Sequence, residues 1–101
     1  VEYDPDAAAK HLRQPDVASH LQAVADAIRE VPTFDETSVE AALRATAERL
    51  GVKAGVLIHP VRVAMTGRTT SPGIFEVLVL LGRPRAIERL EAAIAFVGQP
   101  R

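Results

Sequence analysis

Apolar residues recur along this chain with the 3.6-residue rhythm of helices, and proline, glycine and aspartate interrupt the rhythm at intervals of ten to twenty residues. Asp4-Pro5-Asp6 predicts a first helical start that runs through Ala7, Ala8, Ala9, His11 and Leu12. Asp4 is placed to cap it, and Pro5 sits where a missing N–H costs nothing. A second helix is expected from Pro15-Asp16. Its apolar face is Val17, Leu21, Val24, Ala25 and Ile28, and Pro32 ends it. A third follows Phe34 with Asp35 as cap. It carries Val39, Ala42, Leu43, Thr46 and Leu50 at helical spacing, with Gly51 as its stop.

From Val52 to Thr70 the pattern divides two ways. Val56-Leu57-Ile58 and Val61-Arg62-Val63 read either as a strand pair broken at Pro60 or as short helices split by that proline; periodicity does not separate the two. Gly67-Arg68-Thr69-Thr70 reads as a polar loop. Ser71-Pro72-Gly73 then marks a helix start, with Ser71 as cap. Ile74, Val77, Leu78 and Leu81 follow at helical spacing. Val79 and Leu80 are apolar as well, which predicts a central helix covered on most sides. Gly82 stops that helix. A last one starts near Pro84, presents Ile87, Leu90, Ile94 and Val97 on one face, and ends at Gly98. The expected class is all-α, a compact multihelical unit of about six helices forming one domain over residues 1–101.

Composition agrees with close helix packing. Alanine is abundant, aromatics make up 4% and tryptophan is absent. The absence of cysteine excludes disulfides, thiolate metal sites and cysteine nucleophiles, and points weakly to a cytosolic protein. No apolar run approaches the roughly 20 residues of a membrane span, and no membrane partner is expected. Val1 rather than methionine at the head predicts a fragment or processed product. No phosphate-cradling glycine loop and no dinucleotide fingerprint occurs. His11, His20 and His59 lack metal-site spacing, and His11 and His20 read as solvated helix residues. Acid pairs such as Glu88 and Glu91 lie on exposed faces. No catalytic, cofactor or metal site is expected in the chain itself.

Charge is what changes the functional picture. The net charge of −1 argues against a nucleic-acid partner when taken as a whole. Residues 1–50 carry ten acids against five bases, whereas residues 51–101 carry three acids against seven bases. No Asp or Glu lies between Glu48 and Glu76, and that interval holds Arg49, Lys53, Arg62, Arg68 and His59. Such a local basic field suits a polyanion-binding face. The competing explanation is a loop-rich segment that lacks acids by chance.

The stretch from Leu50 to Leu90, LGVKAGVLIHPVRVAMTGRTTSPGIFEVLVLLGRPRAIERL, resembles the C-terminal part of bacterial glutamyl-tRNA synthetases, class I aminoacyl-tRNA synthetases. The shared pattern is L-G-x-K-x-G, P-x-R-x-A-x-T-G-R, S-P-x-x-F-E-V-L-x-x-L-G and a final R-L. Tyr3-Asp4-Pro5 to Leu12 is similar to the start of the same region, and the middle helices match in pattern only. The resemblance implies the distal of two helical anticodon-binding subdomains, with short helices around Pro60. It implies anticodon contacts by Arg62, Ser71, Pro72, Gly73 and Ile74, with Gly67 and Arg68 between them and Lys53 and His59 as auxiliary RNA contacts. Three positions depart from the pattern: His59 replaces a common glutamine, Pro84 a more usual acid, and Phe34 a frequent tryptophan. The implied partners are the anticodon loop of tRNA(Glu) and the catalytic and proximal anticodon-binding domains of the same cytoplasmic chain. The HIGH-type and KMSKS-type signatures are absent. Ligation of glutamate, with its ATP and magnesium, is therefore expected in another part of the parent enzyme.

Those residue types suit the task. Anticodon bases are unstacked, so a protein can reach their Watson–Crick edges. Arginine offers a planar donor fork, and the N–H groups at a helix start donate to a carbonyl or anionic acceptor. For Arg62 the alternative is a surface salt bridge; for Ser71 and Pro72 it is a plain helix cap; for Phe75, base stacking competes with a place in the core. A helical protein–protein interaction module, motivated by the acidic first helices, is the alternative function. A helix-turn-helix DNA binder ranks below it, since no helix shows a basic base-reading face.

Overall fold

In the structure, a computed structural model that describes residues 2–99, helix α1 spans Pro5–His11. Its start is locally encoded: the Ala7 N–H donates to Asp4 Oδ2 at 3.0 Å. Helix α2 covers Val17–Arg29 and buries Val17, Leu21, Val24, Ala25 and Ile28, the five positions of its predicted stripe. It begins one residue later than expected, because Asp16 takes a left-handed turn with φ 65° and makes no side-chain cap. Aspartate is among the few non-glycine residues that adopt that conformation at modest cost.

Helix α3, Glu36–Leu50, is capped at both ends by its own sequence. Asp35 Oδ1 accepts the Ser38 N–H at 2.8 Å, which holds the Asp35 carboxyl below its ordinary pKa. At the other end Gly51 turns left-handed with φ 73°. The Val52 N–H then reaches the Ala47 carbonyl at 3.0 Å and the Gly51 N–H that of Glu48 at 3.1 Å, the paired bonds of a Schellman ending. Thr46 is buried and donates to the Ala42 carbonyl at 2.8 Å. Leu50, expected on the apolar face, is 37% exposed.

The divided segment is neither a strand pair nor a set of short helices. Helix α4 runs unbroken over Ala54–Thr66 with Pro60 inside it. A mid-helix proline costs about 3 kcal/mol. Here α4 packs against every other helix and buries Leu57, Val61, Val63, Ala64 and Met65, each worth up to a few kcal/mol of apolar burial. That burial outweighs the lost bond. Pro60 itself is buried.

Helix α5 spans Ile74–Leu81 and α6 spans Arg83–Val97. Gly82 alone separates them, at φ 85° and ψ 157°, a region only glycine occupies freely. Its N–H closes α5 on the Leu78 carbonyl, and its own carbonyl receives the Ala86 N–H. Contrary to expectation, α5 is not central: Ile74 and Leu78 are buried, but Leu80 is 79% exposed. Phe75 is partly buried against the core. The deep face of α6 is Ala86, Leu90 and Ala93, with Ile87, Ile94 and Val97 flanking it half-buried. The most extensive helix pairing in the molecule is α2 against α6.

The architecture is all-α, and no strand occurs among the described residues. Its short dimension of 20 Å is two helix diameters, so every helix has one face on a shared core. Tyr3 and Arg13, on either side of α1, are clasped to the end of α6. The Arg13 guanidinium lies 4.6 Å above the Phe96 ring and donates to the carbonyls of Phe96, Val97 and Gln99, while the Tyr3 ring packs tilted against Phe96 with centroids 4.8 Å apart. Burial pushes the Tyr3 hydroxyl above its ordinary pKa. No helix among the described residues is long and apolar enough to cross a membrane.

Candidate nucleic-acid interface

The C-terminal half of α4 and the loop before α5 meet at Arg62. Its Nε donates to Ser71 Oγ at 3.0 Å, and that hydroxyl donates to the Pro72 carbonyl at 2.7 Å. Arg62, Ser71 and Pro72 are therefore joined. The joining differs from the expected capping. Gly73, not Ser71, is the N-cap of α5, and its carbonyl accepts the Val77 N–H at 3.0 Å. Ser71 lies two residues before that cap, and its hydroxyl bridges Arg62 and Pro72 instead.

This latch leaves the Arg62 fork open. Ion pairs among the described residues involve only Arg29, with Asp26 and Glu91, and Arg44 with Glu40. The surface salt bridge considered for Arg62 is not among them. Its Nε is fixed by Ser71, and its Nη groups have no protein partner among the described residues. A guanidinium held at one nitrogen and unoccupied at the others is oriented in advance for a planar acceptor pair.

The remaining positions divide by burial. Pro72 and Gly73 are exposed. A Cβ built on Gly73 would meet nothing within 4 Å, and its φ of −47° is ordinary, so the fold does not demand glycine there. Ile74 is 3% exposed, so its side chain belongs to the core and only its backbone can face a ligand. Gly67 is buried with φ 79°; its N–H donates to the Val63 carbonyl at 2.7 Å and its carbonyl receives the Asp4 N–H at 2.7 Å. Arg68 is exposed but lines a shallow depression with Glu2, Tyr3 and Asp4, at the head of α1. Lys53 is exposed at the start of α4. His59 is exposed one turn before Arg62 on the same helix.

Sequence reasoning missed the groups that hold this corner in place. Thr66 Oγ1 donates to the Arg62 carbonyl at 2.8 Å and accepts the Arg68 N–H at 3.1 Å, which ties α4 to its loop. Arg89 of α6 donates to the Met65 carbonyl at the end of α4. The final R-L of the sequence pattern was a signal for Arg89, though not for its role. His11 was also misread. Its ring stacks on His59 at 5.2 Å, so it has a partner, and burial followed by the fields of His59 and Lys10 lowers its pKa.

A six-helix fold that ties an oriented arginine to an exposed proline–glycine turn suits a helical nucleic-acid-reading domain. Residues 1–94 match the family model described as an anticodon binding domain, and the chain belongs to that family. It is 40% identical over 99 residues to a glutamate–tRNA ligase of Desulforudis audaxviator and 44% identical over 97 residues to that of Anaeromyxobacter dehalogenans. Each alignment covers 96% of this chain and 20% of the relative, so the chain spans about one fifth of the curated relatives it matches. The fold is also that of part of a solved glutamate tRNA ligase from Elizabethkingia meningosepticum. The TM-score is 0.89 at 23% identity, covering 95% of this chain and 19% of the other.

Proposed function

We propose that the chain is the anticodon-reading module of a cytoplasmic glutamate–tRNA ligase and receives the anticodon loop of tRNA(Glu) on the corner formed by α4 and the loop before α5. The observation that carries this reading is the Arg62–Ser71–Pro72 latch, which aims an unpaired guanidinium fork from an acid-free segment. In this reading Arg62 grips a base edge or phosphate. Pro72 and Gly73 form the rigid surface on which the loop rests, and the Ile74 backbone N–H at the start of α5 offers a donor. Gly67 serves by shaping the turn. Arg68 and Lys53, both exposed, supply positive field to the RNA backbone. Amino-acid ligation, with its ATP and magnesium, belongs to the catalytic domain of the same longer chain, and this module raises its selectivity for tRNA.

The test is steady-state aminoacylation by the full-length ligase carrying Arg62→Ala. The expected outcome is a fall in kcat/KM for tRNA of about 10- to 100-fold, the scale of one lost base contact, with the rise concentrated in KM for tRNA. Unchanged kinetics in a folded variant would overturn the assignment.

A further inference from the structure

All three histidines of the chain, far apart in sequence, line one groove of about 310 Å³ between α1, the head of α2 and the first turns of α4. His11 and His59 stack with rings 5.2 Å apart and 21° from parallel, and His20 borders the same space. Gln14 and Gly55 complete the polar side of the lining; a Cβ on Gly55 would lie 3.7 Å from His59 Nε2. No carboxylate lines the groove. The charged neighbours are Lys10 beside His11 on α1, Asp16 at the head of α2 and Lys53 at the head of α4, all three exposed and none of them in the lining. Among the described residues no group of three such side chains is arranged to hold a metal ion. The volume is about ten times the roughly 30 Å³ share of a liquid water, which admits a tetrahedral oxyanion with its hydration.

We propose that this groove is an anion site for a phosphate group, with the backbone of the bound RNA strand as its source. Two stacked imidazoles without an acidic partner repel each other once protonated, so charging both is costly in the free protein. Burial and the fields of His59 and Lys10 hold His11 below the ordinary histidine pKa in accord with that cost. A phosphate seated in the groove at the edge of the stacked pair, where ring N–H groups donate in plane, offsets that charge and accepts hydrogen bonds from both. The source follows from placement: His59 and Arg62 stand at i and i+3 on α4, neighbours on its outer face, so the groove continues the surface where Arg62 waits. This choice of source rests on the anticodon reading; the anion site rests on the histidines alone.

The experiment follows the imidazole Cε1–H signals of the chain by NMR, assigned with His11→Gln, His20→Gln and His59→Gln, in pH titrations with inorganic phosphate and with an RNA stem-loop. Phosphate and RNA are each expected to raise the midpoints of His11 and His59. RNA affinity is expected to be about 5-fold tighter at about pH 5.5 than at about pH 7.5, either side of the ordinary imidazole value of about 6.5. In the His11→Gln/His59→Gln double variant that ratio should fall close to one. Midpoints unmoved by both ligands overturn the proposal. RNA whose binding depends on Arg62 but leaves the histidines unmoved overturns it while sparing the anticodon reading. Histidines that answer inorganic phosphate in a chain that binds no RNA support the anion site and overturn the anticodon reading instead.

Discussion

Arg13 and Arg62 both project from the helical scaffold toward oxygen acceptors, and they are held in opposite ways. Arg13 lies over Phe96 and donates into three carbonyls at the end of α6, where the helix dipole favours a cation. Its donors are used to clasp the chain just after α1 to the end of α6. Arg62 spends one nitrogen on Ser71 and keeps its fork toward solvent in a segment without acids. The same side chain is thus a clasp in one corner and a receptor in the other. What separates them is what surrounds the guanidinium: Arg13 lies over a ring and against three carbonyls at the end of α6, whereas Arg62 meets a single hydroxyl.

Exchanging the two arginines for alanine should separate their roles. Arg62→Ala is expected to weaken RNA binding about 10- to 100-fold while thermal stability stays within about 1 kcal/mol, since it removes one part-buried hydrogen bond. Arg13→Ala is expected to do the reverse. It loses a helix-end cation and stem packing, about 1–2 kcal/mol, and each kcal/mol lowers Tm by about 4–8 °C in a domain of this size. RNA affinity measured well below that Tm should hold. Paired melting curves and binding isotherms on both variants decide the comparison; an equal loss of affinity in both would dissolve it.

The two glycines of the receptor corner sharpen the same contrast. Gly67→Ala forces a left-handed residue at a buried turn and should destabilise the chain by about 1–2 kcal/mol, read by denaturant unfolding. Gly73→Ala meets open space at an ordinary φ and should change stability by less than about 0.5 kcal/mol. Any affinity lost in Gly73→Ala therefore reports how closely the ligand approaches that backbone.

The smallest effect belongs to Asp35, away from both corners. Its carboxyl is held below the ordinary value by the Ser38 N–H. A depressed carboxyl pKa contributes stability that is present above the unfolded value of about 3.9 and is lost as pH falls through the lower folded value. The stability gap between the native chain and Asp35→Ala should accordingly narrow as pH falls from about 5 toward 3. Urea unfolding across that range measures it, and a gap that does not narrow would contradict the cap.

Legibility in the sequence tracked the range of the interaction involved. The caps at Asp4 and Asp35, the left-handed stop at Gly51 and the Gly82 break act within a few residues, and each was readable where it stands. The buried stripe of α2 was readable too, because one apolar face leaves a single way to turn the helix. The pattern around Arg62 and Ser71-Pro72 marked the candidate corner, since an acid-free interval is a property of sequence alone.

Other features needed the assembled molecule. Pro60 breaks a helix in isolation; packing of α4 against all its neighbours makes the unbroken helix the cheaper state. Ser71 reads as a cap, but α5 starts two residues later than that reading and the hydroxyl pairs with Arg62, nine residues away. Leu80 belongs to an apolar run, yet α5 lies at the periphery and leaves it in solvent. Arg68 turned toward the head of α1, and three scattered histidines came to share one groove. By itself the sequence determined where α1, α2, α3 and α6 start and stop to within a residue or two and which face of most helices is apolar, because those choices are made by neighbours along the chain. Only the tertiary structure decided which polar groups were consumed by the fold and which were left to meet a ligand, because that depends on partners the chain brings in from far away.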